Sequence, residues 1–266
     1  MILLDGQTLS QKILSDLSFV ILSHTKSCGR NLKFVINLDI ILVGSDPSSL
    51  KYVALKQAKA ESVGIGGQLH HLSADAPASD IESLISKLNQ DKTVNAFFLQ
   101  LPLPQTNNPT FLLNQISPLK DADGLNPSSG IIPAVDKGII RLLEEYKIPL
   151  SEKNIVIVND SLLIGQPLKR ELEKLGASVS LCNEFTPDLK SVTLTSDILI
   201  SATGVNNLIT SDSVKEGIVA IDVGGGDIDF TGVSAKASYI TPTFGGVGPM
   251  TVACLLENTY ELATRI

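Results

Sequence analysis

A tyrosine and a lysine stand four residues apart in SSLKYVALKQAKA, residues 48–60, a segment with the composition of a helix. Residues at this spacing share one helical face, so Tyr52 and Lys56 are predicted to lie side by side. An amine acts as a base near neutral pH only if its pKa falls well below the free value of about 10.4, which burial can achieve. On a solvated face the same lysine is a surface charge without chemistry.

Two further segments place polar side chains where strands end. Gln100 follows the apolar run FFL, and ligands of parallel α/β sheets bind at the carboxyl ends of strands. Asp121 and Asp123 stand in the segment KDADG. Taken singly, Gln100 could serve the backbone at a strand end, and the two aspartates could serve a turn.

A glycine-rich segment near the end of the chain, ITPTFGGVGPMT at residues 240–251, is the fourth candidate. Its glycines permit close approach of the backbone to a ligand, and its last residues open a helix whose N-terminus favours anionic or polar groups. A single glycine-rich loop is weak evidence, so its interest lies in its combination with the other three segments.

The elements that must position these residues alternate along the whole chain. Apolar β-branched runs alternate with helix-period segments, as in parallel sheets covered by helices. Runs such as IVIV and DILIS are almost continuously apolar, which is typical of strands buried on both faces. Strands are predicted over residues 35–43, 67–72, 94–99, 155–158, 177–182, 198–201 and 219–223. Helices are predicted over residues 7–22, 48–63, 81–90, 137–147, 167–175 and 250–263.

The strands form two sets that divide near residue 147. Between the sets, residues 101–138 form a long Pro- and Gly-rich stretch of the kind that builds functional loops. We predict two α/β domains around a cleft, since two domains joined by two crossings leave a cleft that can hold a ligand. The first covers residues 1–147, with the C-terminal helix 250–266 packed back on it, and the second covers residues 148–249.

The composition excludes several classes of partner. The chain of 266 residues is 43% apolar and 18% charged, has a formal net charge of −7 and shows no cluster of Lys and Arg, so no nucleic acid is expected as a partner. The most apolar run, FVINLDIILVG, is interrupted by Asp39 and far shorter than the roughly twenty residues that span a bilayer, so no membrane is expected either. The separated Cys28, Cys182 and Cys254 predict reduced thiols in the cytoplasm. The three histidines lack the spacing of metal ligands, so no metal is expected.

Taken together, the four segments resemble the bifunctional methylenetetrahydrofolate dehydrogenase/methenyltetrahydrofolate cyclohydrolase family. The matching stretches are ILVGSDPSSLKYVALKQAKAESVGI, LQLPLP, KDADG and TPTFGGVGPMTVA, and the resemblance runs from LLDG at residues 3–6 to the last helix. It implies oxidation of methylenetetrahydrofolate by hydride transfer to NAD or NADP, followed by hydrolysis of the methenyl product to formyltetrahydrofolate. It also implies a second domain of the Rossmann type with a parallel sheet, and a homodimer.

The resemblance assigns roles residue by residue. It makes Lys56 the central catalytic group, Gln100 its hydrogen-bonding partner and Asp123 the anchor of the pterin ring, with Tyr52 against the aromatic part of the folate. Further substrate-binding residues are expected at Leu99, Leu101, Asp121, Gly245, Gly246 and Pro249. Cofactor-binding residues are expected at Asn159, Asp160, Ser161, Gly165, Glu184, Thr203, Gly204 and Gly225.

The second domain departs from the family where the dinucleotide is expected. After the run NIVIV the family usually has Gly-Arg-Ser, whereas Asn159 and Asp160 here replace the glycine and the arginine. After the next strand, Glu184 and Phe185 stand where the family often has Ser-Arg or Ser-Lys. The lost basic residues would bind the 2′-phosphate of NADP. Glu184 instead falls close to where dinucleotide-binding folds place an acid that bonds the ribose 2′-hydroxyl of NAD. We therefore predict a preference for NAD.

The same departures leave other functions open. The loss of the glycine at 159 and the short segment DVGGGDIDF are consistent with an eroded dinucleotide site and cyclohydrolase activity alone. The segment IIPAVDKG also differs from the family's usual Pro-Cys-Thr-Pro-Lys-Gly, and Phe244 replaces a proline. A two-domain NAD-dependent dehydrogenase of another reduced pterin and a non-catalytic folate- or nucleotide-binding protein remain as alternatives. The Tyr52–Lys56 pair and KDADG argue against a hydroxy acid as the substrate.

Overall fold

The structure is a computed structural model that describes residues 1–27, 36–104 and 108–265. Residue 35 of the first predicted strand and Cys28 lie outside the described residues. Cys182 and Cys254 are buried thiols. No helix within the described ranges has the length and apolarity to cross a membrane, and no group of three His, Cys, Asp or Glu side chains among those residues is placed to hold a metal ion.

The predicted alternation of strands and helices is confirmed, and the fold class is α/β. The strands are β1 (Ile2–Leu3), β2 (Ile36–Val43), β3 (Ile65–Gly66), β4 (Leu69–Leu72), β5 (Ala96–Leu99), β6 (Asn154–Val158), β7 (Ser178–Cys182), β8 (Ile198–Ser201), β9 (Val219–Asp222) and β10 (Tyr239–Ile240). The helices are α1 (Gly6–Ser27), α2 (Pro47–Ser62), α3 (Ala78–Gln90), α4 (Pro109–Leu113), α5 (Ala134–Glu145), α6 (Gly165–Lys174), α7 (Leu189–Leu194), α8 (Phe230–Ser234) and α9 (Val247–Thr264).

The chain divides into two compact units, and their bounds differ from the predicted domains. The four-stranded unit comprises Lys12–Ala134 and Val252–Ile266, and the six-stranded unit comprises Met1–Gln11 and Val135–Thr251. Residues 1–11 and 135–147 therefore group with the second strand set, in part because β1 pairs with β10. Most of the last helix groups with the first strand set. The assignment of a function to each predicted domain stays a prediction.

The four-stranded unit is built around β2, which pairs in parallel with β5 on one side and with β3 and β4 on the other. The edge breaks between β3 and β4 at Gly67, whose φ is 142° and where a Cβ would lie 1.9 Å from the carbonyl oxygen of Leu38. Only glycine fits this position. Both β2 and β5 are buried. Because they pair in parallel, their carboxyl ends lie at the same edge of the sheet.

The six-stranded unit has one parallel sheet in the order β1-β10-β9-β8-β6-β7. All four residues of β8 and of β9 are buried, as their apolar sequences predict. In a parallel sheet of this kind the loops that follow the strands collect at one edge. The predicted cofactor-binding residues stand in the loops after β6, β7, β8 and β9.

Candidate active site

The helix that carries Lys56 follows β2 after the short loop of residues 44–46. The Asp46 carboxylate accepts a hydrogen bond from the backbone N–H of Ser49 at 2.8 Å, and Pro47 occupies the first turn, where its missing N–H costs nothing. Past the other end, Gly64 adopts a φ of 89°. The buried residues of α2 are Ser49, Val53, Lys56 and Ala60, whose spacing places them on one face of the helix.

Lys56 is buried, with 3% of its surface exposed. Its Nζ donates a hydrogen bond to Oε1 of Gln100 at 3.2 Å. The same nitrogen lies 4.8 Å from the ring centre of Tyr52 and 4.1 Å from the ring centre of Phe98. The structure thus brings together Tyr52, Lys56 and Gln100, and it adds an aromatic ring from β5.

The pKa of Lys56 lies below its ordinary value because burial penalises the ammonium form. The negative charge of Asp123 acts in the opposite direction and raises this pKa, but burial is the larger effect. Lys56 is therefore buried rather than on a solvated helix face, which is the condition for a lowered pKa that the sequence alone left open. Its amine loses its proton more readily than a surface lysine does.

Gln100 is held in one orientation by three hydrogen bonds. Its backbone N–H donates to the carbonyl oxygen of Ile41 at 2.9 Å, which extends the sheet past the end of β5. Its Nε2 donates to the carbonyl oxygen of Leu101 at 2.5 Å, so Oε1 is turned towards Lys56. Leu99 is buried in the sheet and Leu101 is half-buried beside Gln100.

The segment KDADG runs alongside the same strand. The N–H of Phe97 donates to the carbonyl oxygen of Lys120 at 2.8 Å, and the N–H of Ala122 donates back to the carbonyl oxygen of Phe97 at 3.3 Å. These two bonds bring the segment to β5. Asp121 and Asp123 flank the bonded Ala122, so their backbone positions depend on β5.

The two aspartates of this segment have different surroundings. Asp121 is buried, and its two carboxylate oxygens accept hydrogen bonds from the backbone N–H groups of Gly124 at 3.1 Å and Asn126 at 2.7 Å. Burial raises the pKa of Asp121 to about 6. Asp123 is half-buried, and its charge acts on Lys56. Asp121 therefore shapes the loop, and its predicted contact with substrate stays a prediction.

The glycine-rich segment lies in the six-stranded unit, at the start of α9. The carbonyl oxygen of Gly245 accepts a hydrogen bond from the N–H of Gln7 at 2.8 Å. A Cβ on Gly6 would lie 1.9 Å from the carbonyl oxygen of Gly246, so the starts of α1 and α9 pack backbone to backbone. Pro249 stands in the first turn of α9. Close packing accounts for glycine at these positions, and their predicted contacts with substrate stay predictions.

The turn between β6 and α6 is organised by Asn159. Its Oδ1 accepts hydrogen bonds from the N–H groups of Ser161 at 2.9 Å and Gly165 at 3.3 Å, and its Nδ2 donates to the carbonyl oxygen of Ala202 at 2.7 Å. A Cβ on Gly165 would lie 2.0 Å from the carbonyl oxygen of Asn159, so glycine is required there. The side chain that replaces the family's glycine thus occupies two N–H groups of the turn.

The loops after β6 and β7 are joined by a hydrogen bond. Nδ2 of Asn183 donates to the carboxylate of Asp160 at 2.7 Å, and Oδ1 of Asn183 accepts from the N–H of Phe185 at 2.9 Å. Asp160 and Glu184 are exposed, and Phe185 is 80% exposed. This corner of the unit therefore presents two carboxylates and an aromatic ring to solvent.

Two buried carboxylates shape the loops after β8 and β9. Oδ2 of Asp227 accepts hydrogen bonds from the N–H of Thr203 at 2.6 Å, the hydroxyl of Thr203 at 2.9 Å and the hydroxyl of Ser201 at 2.8 Å. Asp222 accepts from the N–H groups of Gly225 at 2.8 Å and Gly226 at 2.9 Å. Gly204 and Gly225 are exposed with φ near 75°, at 72° and 78°. Gly204 and Gly225 therefore leave exposed turns along this edge, and the predicted contacts of Thr203, Gly204 and Gly225 with a dinucleotide stay predictions.

Sequence reasoning missed several residues of these sites. Phe98 is two residues before Gln100 on a strand, so the alternation of strand side chains could have placed it on the same face. Asp222 bonds the N–H groups of Gly225 and Gly226, three and four residues further on, so its role had a local signal in the sequence. The sequence offers no comparable signal for Asp227, because its partners Ser201 and Thr203 lie at the end of β8 and in the loop after it.

The sequence matches two family models that together cover most of the chain. Residues 4–123 match the tetrahydrofolate dehydrogenase/cyclohydrolase catalytic domain. Residues 133–266 match the NAD(P)-binding domain of the same family. The chain belongs to this family.

Individual relatives agree with the family match. Bifunctional protein FolD of Methanosarcina mazei is 41% identical over 280 residues, which cover 99% of this chain and 96% of that protein. The crystal structure of the FolD methylenetetrahydrofolate dehydrogenase/cyclohydrolase of Campylobacter jejuni superposes with a TM-score of 0.91 at 39% identity, over 99% of this chain and 98% of the other. The FolD enzyme of Trypanosoma brucei, complexed with NADP and an inhibitor, gives a TM-score of 0.93 at 28% identity, over 100% and 98%.

Proposed function

We propose that this chain oxidises methylenetetrahydrofolate to methenyltetrahydrofolate with a nicotinamide dinucleotide and then hydrolyses the product to formyltetrahydrofolate. The observation that carries the proposal is the buried amine of Lys56, held by Gln100 within a chain that belongs to this family. A protein that merely bound folate would gain nothing from a buried amine with a lowered pKa.

Lys56 handles the proton of the hydrolytic step. Removal of a hydride from the methylene carbon leaves a methenyl cation, and water then forms a bond from its oxygen to that carbon. The neutral amine of Lys56 takes the proton that the water loses. The ring C–N bond then breaks: the added hydroxyl loses its remaining proton as its oxygen becomes the formyl carbonyl, and the released ring nitrogen gains a proton. Gln100 keeps the amine in position through its bond of 3.2 Å to Nζ.

Asp123 and Tyr52 bind the substrate beside this amine. The half-buried carboxylate of Asp123 is suited to accept hydrogen bonds from the amino and ring N–H groups of a pterin. The ring of Tyr52 lies on the same helical face as Lys56 and offers an aromatic surface to the folate. A substrate bound in this way places its one-carbon bridge near Nζ.

The loops of the six-stranded unit hold the dinucleotide. Ser161, Thr203, Gly204 and Gly225 supply hydroxyls and exposed turns at the carboxyl edge of the sheet. When bound, the dinucleotide supplies the hydride acceptor of the first step. The residues of the chain bind and orient it.

We propose a preference for NAD over NADP on the basis of two exposed carboxylates at this edge. The exposed carboxylates of Asp160 and Glu184 would repel the additional phosphate of NADP, and Asn183 restrains the carboxylate of Asp160. We expect a larger kcat/KM with NAD than with NADP in the dehydrogenase assay. Asp160→Ser should raise kcat/KM for NADP more than for NAD, whereas Glu216→Ser, the same loss of an exposed charge just before β9, should change neither. A strong preference of the wild type for NADP would contradict this proposal.

Substitution of the lysine tests the main proposal. Lys56→Met keeps the length of the side chain but removes the amine, so cyclohydrolase activity should fall by about 100-fold or more. Binding of folate, measured by titration calorimetry, should remain. Lys51→Met is the matched control, because Lys51 is exposed on the same helix. Undiminished hydrolysis by Lys56→Met would contradict the assignment.

Cyclohydrolase activity alone is the second candidate, and the side chain of Asn159 favours it. That side chain occupies the N–H groups of Ser161 and Gly165, two donors that a dinucleotide phosphate could otherwise use. Separate assays of methylene oxidation and methenyl hydrolysis distinguish the candidates. Hydrolysis without measurable reduction of NAD or NADP would support the second.

The expected location and assembly complete the proposal. We expect the protein in the cytoplasm, where its folate substrate and dinucleotide would be present. We also expect a homodimer, since the family resemblance implies one. Sedimentation analysis of the purified protein would test the oligomeric state.

A further inference from the structure

Asn258, on the last helix, is fully buried and makes long-range hydrogen bonds. Its Nδ2 donates to the carbonyl oxygen of Ala122 at 3.1 Å and to the carbonyl oxygen of Ile132 at 3.1 Å. These acceptors lie 136 and 126 residues away in the sequence. The family models place this helix with the NAD(P)-binding domain, yet both bonds reach the four-stranded unit's loop at residues 121–134.

The two carbonyl groups belong to the two ends of that loop, Ala122 where it begins and Ile132 where it returns, and we call these two facing ends the neck. A third bond closes the same neck, from the N–H of Ala134 to the carbonyl oxygen of Asp123 at 3.0 Å. The neck is also tightly packed, since a Cβ on Gly124 would lie 3.0 Å from Cα of Pro133. One amide group of Asn258 therefore joins the two sides of the loop.

The position of Asp123 depends on this neck. Asp123 directly follows Ala122, one of the two groups that Asn258 holds, and its charge acts on Lys56. A movement of Ala122 would displace the Asp123 carboxylate relative to the amine. We propose that Asn258 is a positioning residue that holds Asp123 for folate binding, an inference that rests on the proposed role of Asp123.

The neighbouring residue Thr259 provides the matched control. It is also fully buried, but its hydroxyl donates to the carbonyl oxygen of Leu255 one turn earlier, inside α9. Thr259→Val removes this local bond with little change of shape. It should affect the stability of the helix without affecting the loop.

The test measures both activities of the full chain with Asn258→Ala, Asn258→Ser and Thr259→Val. We expect Asn258→Ala to raise the KM for the folate substrate about tenfold in both assays, because the carbonyl groups of buried Ala122 and half-buried Ile132 lose their donor. The KM for the dinucleotide should stay within twofold. Asn258→Ser keeps one donor in a smaller side chain and should give an intermediate KM for folate, and Thr259→Val should leave it unchanged.

Asp123→Ala, assayed in parallel, separates this inference from the proposed function. If Asp123→Ala raises the KM for folate but both Asn258 variants leave it unchanged, the inference about Asn258 is overturned and the role of Asp123 stands. If Asp123→Ala has no effect, the role of Asp123 fails. Should Asn258→Ala not fold, the KM for the folate substrate is compared among the wild type, Asn258→Ser and Thr259→Val. A rise in Asn258→Ser alone supports the inference, and no rise in Asn258→Ser overturns it. Equal rises of the KM for folate and for the dinucleotide would indicate general loosening and also overturn the inference.

Discussion

The amine of Lys56 is subject to opposing influences on its pKa. The faces of Tyr52 and Phe98 and the charge of Asp123 all favour the ammonium form. Burial disfavours that form and is the larger effect, so the pKa is lowered. Asp123 nevertheless keeps it higher than burial alone would. The burial of Lys56 and the charge of Asp123 therefore together set the pH at which the amine becomes an active base.

The pH dependence of hydrolysis should report this balance. The rate at saturating methenyl substrate should rise with pH as Lys56 loses its proton. Asp123→Asn removes the negative charge that raises the pKa of Lys56, so the rising limb should move to lower pH. The measurement is kcat against pH for both proteins, corrected for uncatalysed hydrolysis. A limb that stays in place, or moves to higher pH, would contradict the coupling.

Asp136 is a second buried ionisable side chain. It is fully buried in the first turn of α5, and neither carboxylate oxygen has a hydrogen-bond partner among the described residues. Burial raises its pKa well above the ordinary value of a carboxyl group; the nearby charge of Glu171 adds to the effect, and the charge of Arg170 opposes it without outweighing burial. The folded state therefore binds the proton of Asp136 more tightly than the unfolded state does, and the free energy of unfolding falls as pH rises from about 4.

Removal of this carboxyl group should stabilise the protein. Asp136→Ala eliminates an unsatisfied buried group, so the free energy of unfolding at pH 8 should rise by about 1–3 kcal/mol, and by less at pH 4.5. Urea unfolding at both pH values measures the difference. Asp80→Ala is the control, because Asp80 stands in the first turn of α3 but is exposed. A loss of stability in Asp136→Ala at pH 8 would show that the carboxylate has a partner.

At the scale of elements, the loops after β8 and β9 depend on Asp227. This buried carboxylate holds both the N–H and the hydroxyl of Thr203, a predicted cofactor residue. Asp227→Ala should raise the KM for the dinucleotide about tenfold, because bonds to a charged acceptor are worth about 1.5–3 kcal/mol. A steady-state dehydrogenase assay measures this KM. The rate of methenyl hydrolysis, measured in the separate cyclohydrolase assay, should be unaffected.

Asp229→Ala serves as the control for the same loop. Asp229 directly precedes α8 and caps its start, where it accepts a hydrogen bond from the N–H of Gly232 at 3.2 Å. Its loss should lower stability without changing the KM for the dinucleotide. Equal effects of the two substitutions on that KM would remove the special role of Asp227.

How much of the structure the sequence predicts depends on how far apart in the chain the interacting residues are. The spacing of Tyr52 and Lys56, and the position of Gln100 after a buried strand, are local signals that the structure bears out. Strands of two residues, β1, β3 and β10, are too short to show a period. The bond from Asn258 to Ala122 spans 136 residues and has no local signal. Sequence patterns therefore placed Lys56 beside Tyr52 and Gln100, but they gave no signal for Asn258, which acts over a long distance in the chain.

At the scale of the whole molecule, the two compact units are interleaved in sequence. The boundary between them falls inside α1 after Gln11, at the start of α5 and inside α9 after Thr251. The two family models instead divide the chain once, between residues 123 and 133. A contiguous N-terminal piece of the chain therefore lacks part of the unit that contains Lys56.

A fragment of residues 1–147 should consequently fail to fold cooperatively. The missing part of α9 includes Leu255, Leu256 and Leu262, all buried, and their burial is worth about 5 kcal/mol together. That sum is comparable with the total stability of a domain, roughly 5–15 kcal/mol. Joining residues 247–266 to the fragment through a flexible linker should restore a cooperative urea transition and a near-ultraviolet circular dichroism signal. The same linker joined to a scrambled version of that helix should not, because Asn258 and the leucines would no longer face their partners. If the bare fragment unfolds as cooperatively as the joined one, the last helix contributes no essential part of this unit's core.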